Sequence, residues 1–200
     1  ASSAFADIGS HWCDLAQHIV GHPIVEVMAD LTTVIKTRYR PGSAREAFAH
    51  ADGRGVAFTV KSEDLATLLV RFANGAKGCA TIGQVCAGHK NDLWIEASGA
   101  TASIRWRQEQ QNELWIGRRD ETNMTLAKDP ALIHGEARRY AHLPGGHQEG
   151  WADAFRNVIS DIYRFIANDG RGERPAAMAT FEDGYRVAGL VDAVLDSHRC

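Results

Sequence analysis

Several patterns that would settle the class of this chain at once are missing from it. No C-x-x-C pair occurs among its four cysteines, and no apolar run approaches the ~20 residues of a membrane-spanning helix. The net charge is only −3, so no strongly basic surface is available for nucleic acid. We therefore expect neither a disulfide scaffold, nor a membrane-spanning protein, nor a nucleic-acid-binding protein.

The composition is typical of a soluble globular protein with one domain. The 200 residues are 44% hydrophobic and 24% charged, which suffices to bury a core without covalent cross-links. The four cysteines lie too irregularly for a disulfide framework, and reduced thiols of this kind indicate a cytoplasmic protein. We expect Cys13 to pack in the core rather than to act as a nucleophile. The other cysteines are Cys79, Cys86 and Cys200.

The most informative stretch lies near the beginning of the chain, where acids and imidazoles follow one another at steps of four, three and four residues. On an α-helix such steps return the side chains to one face, which predicts a polar stripe. A carboxylate one turn from a histidine can orient the ring and stabilise its protonated form, as a general base near neutral pH requires. The stripe consists of Asp7, His11, Asp14 and His18. The apolar residues expected to hold this helix against a core are Ile8, Trp12, Leu15, Ile19 and Val20.

Two other interpretations of the stripe stay open. Polar helix faces are commonly only solvated, and a His–Asp pair one turn apart is often a weak surface contact. Metal binding is the second, because His11, Asp14 and His18 would present nitrogen and oxygen ligands together. No H-E-x-x-H pattern and no cysteine pair supports a metal, so we prefer acid–base chemistry and assign no metal ligand.

Hydrophobic periodicity divides the rest of the chain into a run of strands followed by two helices. Asn74-Gly75 and Ser98-Gly99 are hairpin signals, so the strands beside them should pair antiparallel. Residues 38–55 are polar and without period, which predicts a long loop. The pattern indicates an α+β fold, a largely antiparallel sheet with helices on one face. The predicted strands are 24–36, 64–72, 77–85, 92–97, 101–107, 113–117 and 123–127, and the predicted helices end near residues 20, 168 and 197.

A second group of candidate site residues precedes the penultimate helix. Gly145 and Gly146 would let the backbone approach a ligand closely, and His147 could donate to a substrate hydroxyl at the helix entrance. The alternative is a capping turn with a solvated histidine, and the pattern alone favours that alternative.

Three blocks of the sequence, taken in order, resemble signatures of one family. Asp7-Ile8-Gly9-Ser10-His11-Trp12-Cys13-Asp14 is similar to D-x-G-x-H-x-x-D. Residues 143–155 are similar to P-x-G-H-x-E-G-[aromatic]-x-D-A-F, and residues 179–186 resemble the T-F-x-D-G that opens a last helix. The family is that of glucose-fructose oxidoreductase, inositol dehydrogenase and MocA (Gfo/Idh/MocA), and the resemblance extends over almost the whole chain. One departure is the absence of a glycine-rich run before Asp7.

The resemblance implies that residues 1–200 are the C-terminal domain of a longer protein. The implied fold is an open-faced antiparallel sheet, like the C-terminal domain of glyceraldehyde-3-phosphate dehydrogenase. The N-terminal dinucleotide-binding domain is absent, since no G-x-G-x-x-G opens a strand–helix unit. NAD or NADP would be bound mainly by that missing domain, so the isolated chain should be inactive. A homo-oligomer through the open sheet face is also implied; its interface candidates, which could equally be sheet core, are Trp94, Trp106 and Trp115.

The same resemblance implies the chemistry. Hydride would pass between the nicotinamide and a sugar or cyclic polyol, while His11 takes the proton from the substrate hydroxyl. Asp7 would orient and polarise His11, and Asp14 and His147 would contact the substrate. The alternative is a non-catalytic ligand-binding or oligomerisation module of the same fold. The presence of both Asp7 and His11 argues against this alternative.

Overall fold

The computed structural model describes most of the chain, which forms two compact units. The described residues are 2–41, 55–133, 135–171, 174–175 and 177–200. The first unit is formed by Ala1–Gly88 and Glu182–Cys200, and the second by His89–Phe181. No helix in the described part of the chain has the length and apolar character that crossing a bilayer demands.

The first unit begins with a helix of two kinds. Phe5–Gly9 form a π-helical segment, in which the Ser10 N–H donates to the Phe5 carbonyl, and the α-helix α1 (Ser10–Val20) continues from it. Gly21 ends α1 in the left-handed region at φ 74°, and its N–H donates to the Gln17 carbonyl. Glycine pays no Cβ penalty there, which confirms the predicted helix end.

Five strands follow among the described residues of the first unit. They are β1 (Ile24–Thr32), β2 (Thr37–Pro41), β3 (Gly55–Thr59), β4 (Leu65–Phe72) and β5 (Lys77–Gly83). β1, β4 and β5 form an antiparallel sheet with β4 in the centre, and β2 pairs with β3. The β4–β5 hairpin turns at Gly75, whose φ of 87° confirms the Asn74-Gly75 signal.

β4 carries the core of this sheet on one face only. Ala66, Leu68, Val70 and Phe72 are buried, while the residues between them face outward. Burying a valine, leucine or phenylalanine side chain stabilises the fold by roughly 1.5–3 kcal/mol. The strict alternation fixes the strand register, because a shift of one residue would expose the whole apolar row.

The structure corrects the prediction for residues 33–41. The predicted strand 24–36 ends at Thr32, because the buried carboxylate of Asp64 takes the N–H groups of Val34 and Ile35 at 2.6 and 2.9 Å. The predicted loop 38–55 is wrong at both ends, where the chain forms β2 and the first residue of β3. The rest of that loop, residues 42–54, lies outside the described residues.

The second unit is built on a four-stranded antiparallel sheet in sequential order. Its strands are β6 (Trp94–Ser98), β7 (Ala102–Arg107), β8 (Glu113–Arg118) and β9 (Met124–Ala127). Each lies within two residues of its predicted bounds. The Ser98-Gly99 turn joins β6 to β7 as expected. Trp94 is exposed, whereas Trp106 and Trp115 are half-buried.

Two helices complete the fold, α2 (Trp151–Ala167) and α3 (Phe181–Arg199). On α2 the buried residue is Asp161, which accepts hydrogen bonds from Arg139 at 2.5 Å and from Tyr140 at 2.7 Å. Apolar α2 side chains such as Trp151 stay largely exposed in the described structure. The α+β class with antiparallel strands is confirmed, although the described strands form three hydrogen-bonded groups.

Candidate active site

The start of the first helix is held by a carboxylate from a distant part of the chain. Glu63, which lies just before β4, is buried, and its Oε1 accepts hydrogen bonds from Ser2 Oγ at 2.6 Å, Ser3 N at 2.8 Å and Phe5 N at 2.9 Å. The first N–H groups of a helix have no partner within the helix, so Glu63 acts as its cap. Burial raises the pKa of Glu63, but the hydrogen bonds outweigh burial and keep that pKa below its ordinary value.

The glycine of the D-x-G-x-H block is required by packing. The side chain of Phe5 is fully buried, and a Cβ placed on Gly9 would lie 2.2 Å from its Cδ2 atom. No side chain can occupy that space while the ring stays in place. Within the π-helical segment, the large side chain at position 5 thus packs against a residue with no side chain at position 9.

Asp7, His11, Asp14 and His18 are all exposed, as a polar stripe requires. The structure nevertheless differs from the expected contact between the first two. No hydrogen bond joins Asp7 to His11 among the contacts of the described residues. Asp7 lies in the π-helical segment, whose i→i+5 hydrogen bonding widens the turn between the two side chains. The roles of the pair therefore stay a prediction.

The carboxylate of Asp7 has another partner, which the sequence did not reveal. Gln84, just beyond β5, donates from Nε2 to Asp7 Oδ2 at 3.3 Å. The two residues are 77 positions apart, so no local pattern could have linked them.

The buried face of α1 is formed by smaller residues than expected. Cys13 and Ala16 are buried, whereas the five larger apolar residues between the stripe positions are only half-buried. Burial, together with the negative charge of Asp14, raises the pKa of the Cys13 thiol to about 12. A thiol that stays protonated is a poor nucleophile, in keeping with the predicted packing role.

The metal interpretation finds no cluster to support it. In the described ranges, no three His, Cys, Asp or Glu side chains are grouped so that they could hold one ion. His11, Asp14 and His18 thus share a helix face without converging on a point.

His147 lies in the second unit, on a turn ahead of α2. Its N–H donates to the Pro144 carbonyl at 3.2 Å, and its side chain is exposed. Gly146 has a φ of 80°, and a Cβ on Gly145 would lie 2.5 Å from Asp129 Oδ2. The positive φ of Gly146 favours glycine at that position, and the Asp129 side chain lies where a Cβ on Gly145 would stand.

The turn is anchored by Glu149, a residue to which the sequence assigned no role. Its buried carboxylate accepts from Lys128 Nζ at 2.5 Å and from the His142 N–H at 2.9 Å, while Asn112 bonds its backbone on both sides. Burial raises the pKa of Glu149, but Lys128 and backbone N–H groups more than offset this and lower it overall. In the sequence, only the P-x-G-H-x-E-G block singled out Glu149. Its partner Lys128 is 21 positions away.

The profile of the GFO/IDH/MocA C-terminal domain matches residues 1–105 of this chain. The chain belongs to the Gfo/Idh/MocA family. The matched range contains the D-x-G-x-H block, Glu63 and Gln84.

Known proteins of this kind resemble the chain over nearly its whole length. Levoglucosan dehydrogenase from Pseudarthrobacter phenanthrenivorans is 29% identical over 98% of the chain and 50% of its own length. The solved structure of levoglucosan dehydrogenase with NADH and L-sorbose is 27% identical, with a TM-score of 0.83 over 99% of this chain and 49% of that one. An oxidoreductase from Sinorhizobium meliloti is 28% identical, with a TM-score of 0.80 over 98% of this chain and 50% of that one. The chain thus spans about half the length of these relatives.

Proposed function

We propose that this chain is the catalytic and substrate-binding domain of an NAD(P)-dependent oxidoreductase that acts on a sugar or cyclic polyol. The observation that carries the proposal is the exposed acid–histidine pair of the D-x-G-x-H block, Asp7 and His11, on a helix whose start is fixed by Glu63. The likeness to levoglucosan dehydrogenase, which binds NADH and sugars in its solved complexes, supports the choice of substrate class. A dinucleotide-binding domain ahead of Ala1 would complete the enzyme.

The chain's own residues would handle the substrate and its proton. Oxidation of a secondary alcohol removes a hydride from carbon, which the nicotinamide accepts when it is bound. His11, whose side chain is exposed, takes the hydroxyl proton on a ring nitrogen. Asp7 supplies the negative charge that favours the protonated ring, and Asp14 binds a further hydroxyl group of the substrate. The substrate contact of His147 stays a prediction. In the reverse reaction His11 returns the proton to the carbonyl oxygen.

The competing function is a non-catalytic binding or assembly module of the same fold. Replacing His11 in the full-length protein distinguishes the oxidoreductase from the non-catalytic module. Turnover is assayed with a panel of polyols and sugars and with both nicotinamide cofactors. We expect His11→Ala to reduce turnover by about 10²–10⁴-fold, the usual contribution of a general base.

The matched control is His18→Ala, which removes another exposed imidazole from the same helix face and should leave turnover within about twofold. Full turnover by the His11→Ala enzyme would overturn the proposed role. A wild-type full-length protein that binds polyols but turns over none would favour the module.

A further inference from the structure

The side-chain amide of Gln84 makes a contact to the candidate site that the D-x-G-x-H block does not contain. Its Nε2 lies 3.3 Å from Oδ2 of Asp7. Among the described contacts, no donor reaches the other carboxylate oxygen, Oδ1. The amide thus occupies one oxygen of the acid, and the second has no donor among the described contacts.

Both sides of this contact are fixed by the same dipeptide, Glu63-Asp64. The Glu63 carboxylate and carbonyl hold the helix start, the carbonyl accepting from the Ala4 N–H at 3.2 Å. The Asp64 carbonyl accepts from the backbone N–H of Gln84 at 2.9 Å. The Gln84 backbone and the helix that carries Asp7 are therefore both hydrogen-bonded to the same dipeptide.

The chain around Gln84 has little freedom to move. A Cβ on Gly83 would lie 2.7 Å from Cys86 Sγ and 3.2 Å from Leu65 Cδ1, so the strand ends in a tightly packed turn. Gln84 itself is exposed, and its side chain is not needed to fill the core. A role in stability alone would not require an amide at this position.

We propose that Gln84 is a positioning residue that orients the Asp7 carboxylate for its work beside His11. An amide N–H donates a hydrogen bond without carrying charge, so Asp7 keeps its full negative charge while its rotation is restricted. The free Oδ1 is then presented to the His11 ring or to a substrate hydroxyl. This inference rests on the function proposed above.

A double-mutant cycle in the full-length enzyme tests this role. Gln84→Leu removes the donor, and Gln84→Glu keeps the shape but replaces the donor with an acceptor. We expect each to lower kcat by about tenfold, the worth of one hydrogen bond to a charged group, with the KM for the nicotinamide cofactor and the melting temperature unchanged. In an Asp7→Asn background the same changes should cost less than twofold. Gln110→Leu, at another exposed glutamine, is the matched control and should keep full kcat.

Two results would overturn the assignment to Gln84. One is an equal loss of kcat in the wild-type and Asp7→Asn backgrounds, which would mean that Gln84 acts independently of Asp7. The other is full kcat in both Gln84 variants while Asp7→Asn and His11→Ala are impaired. Full kcat in Asp7→Asn and His11→Ala themselves would instead overturn the proposed function, and the positioning role with it.

Discussion

At the residue scale, Gly9 shows how one missing side chain shapes the beginning of the site. The buried Phe5 ring fills the place where a Cβ would stand, and the backbone between the two residues runs as a π-helix. Segments of this kind are uncommon and are often found at functional sites. Here the segment contains Asp7, the acid of the candidate pair.

Gly9→Ala should therefore disturb both stability and the site. We expect the free energy of unfolding to fall by about 1–3 kcal/mol, the usual cost of overpacking a core. Urea denaturation of the purified protein measures this. The matched control is Gly189→Ala in α3, where a Cβ meets nothing within 4 Å. That change should stabilise the protein slightly, by about 0.5–1 kcal/mol, because alanine favours helix over glycine. Equal effects of the two substitutions would contradict the packing argument.

At the element scale, the first helix depends on a cap that comes from another part of the chain. Three donors from the helix start converge on one oxygen of Glu63, and hydrogen bonding to the ionised form lowers the pKa of this carboxyl. A group whose pKa is lower in the folded state stabilises the fold above its ordinary pKa, roughly 4.3 for glutamate. That stabilisation is lost as the pH falls through the lowered folded-state pKa.

Glu63→Gln should make the protein less stable at neutral pH and less sensitive to acid. We expect a loss of about 1–2 kcal/mol at pH 7, because the neutral amide accepts the same hydrogen bonds more weakly. The difference from wild type should shrink as the pH falls below the ordinary glutamate pKa, roughly 4.3, because Glu63 then becomes protonated in the wild type.

Chemical denaturation at a series of pH values measures the effect. Glu26→Gln is the matched control, since Glu26 is an exposed residue in a surface pair with Arg71. It should change stability by less than about 1 kcal/mol. A constant difference between Glu63→Gln and wild type down to pH 3 would show that the charge of Glu63 plays no part.

The sequence predicts a helix or strand where that element carries a local signal of its own. Seven strands and three helices have a period, a turn signal or a glycine stop of their own, and the structure places all of them within a few residues. β2 and β3 were missed because neither carries a sustained alternation, and each is defined by its pairing with the other. Gln84, Asp64 and Lys128 were missed for a related reason. Their partners lie 21 to 77 positions away, and no spacing rule spans such distances.

At the scale of the whole molecule, one face of the β1–β4–β5 sheet has exposed side chains, including exposed apolar ones. Met28 is opposite Leu69, and Leu69 is opposite Cys79, so the three form a row across the strands on the outward face. Met28 is 61% exposed and Leu69 is 50% exposed. The sequence predicts subunit contact through an open sheet face with Trp94, Trp106 and Trp115 of the other sheet as candidates, and this exposed row is a further place where that prediction can be tested.

Leu69→Glu tests that expectation in the full-length protein. If a homo-oligomer forms through this face, a charge at position 69 should dissociate it, because an unpaired carboxylate loses its hydration in an apolar interface. Light scattering coupled to size-exclusion chromatography measures the molar mass. The control is Leu132→Glu, at another exposed leucine in the second unit. A wild-type monomer, or an unchanged oligomer in Leu69→Glu, would rule out this face as the interface.

The π-helical segment also bears on what a motif is. The D-x-G-x-H motif places the acid and the histidine four residues apart in sequence. This spacing alone does not give the angle between the two side chains around the helix axis. A homologue with the same motif would orient the acid differently if the residues between the acid and the histidine formed a regular α-helix instead of a wider π-helical turn. Transferring the D-x-G-x-H motif to a regular α-helix would therefore keep the sequence spacing of the acid and the histidine but change the orientation of the acid.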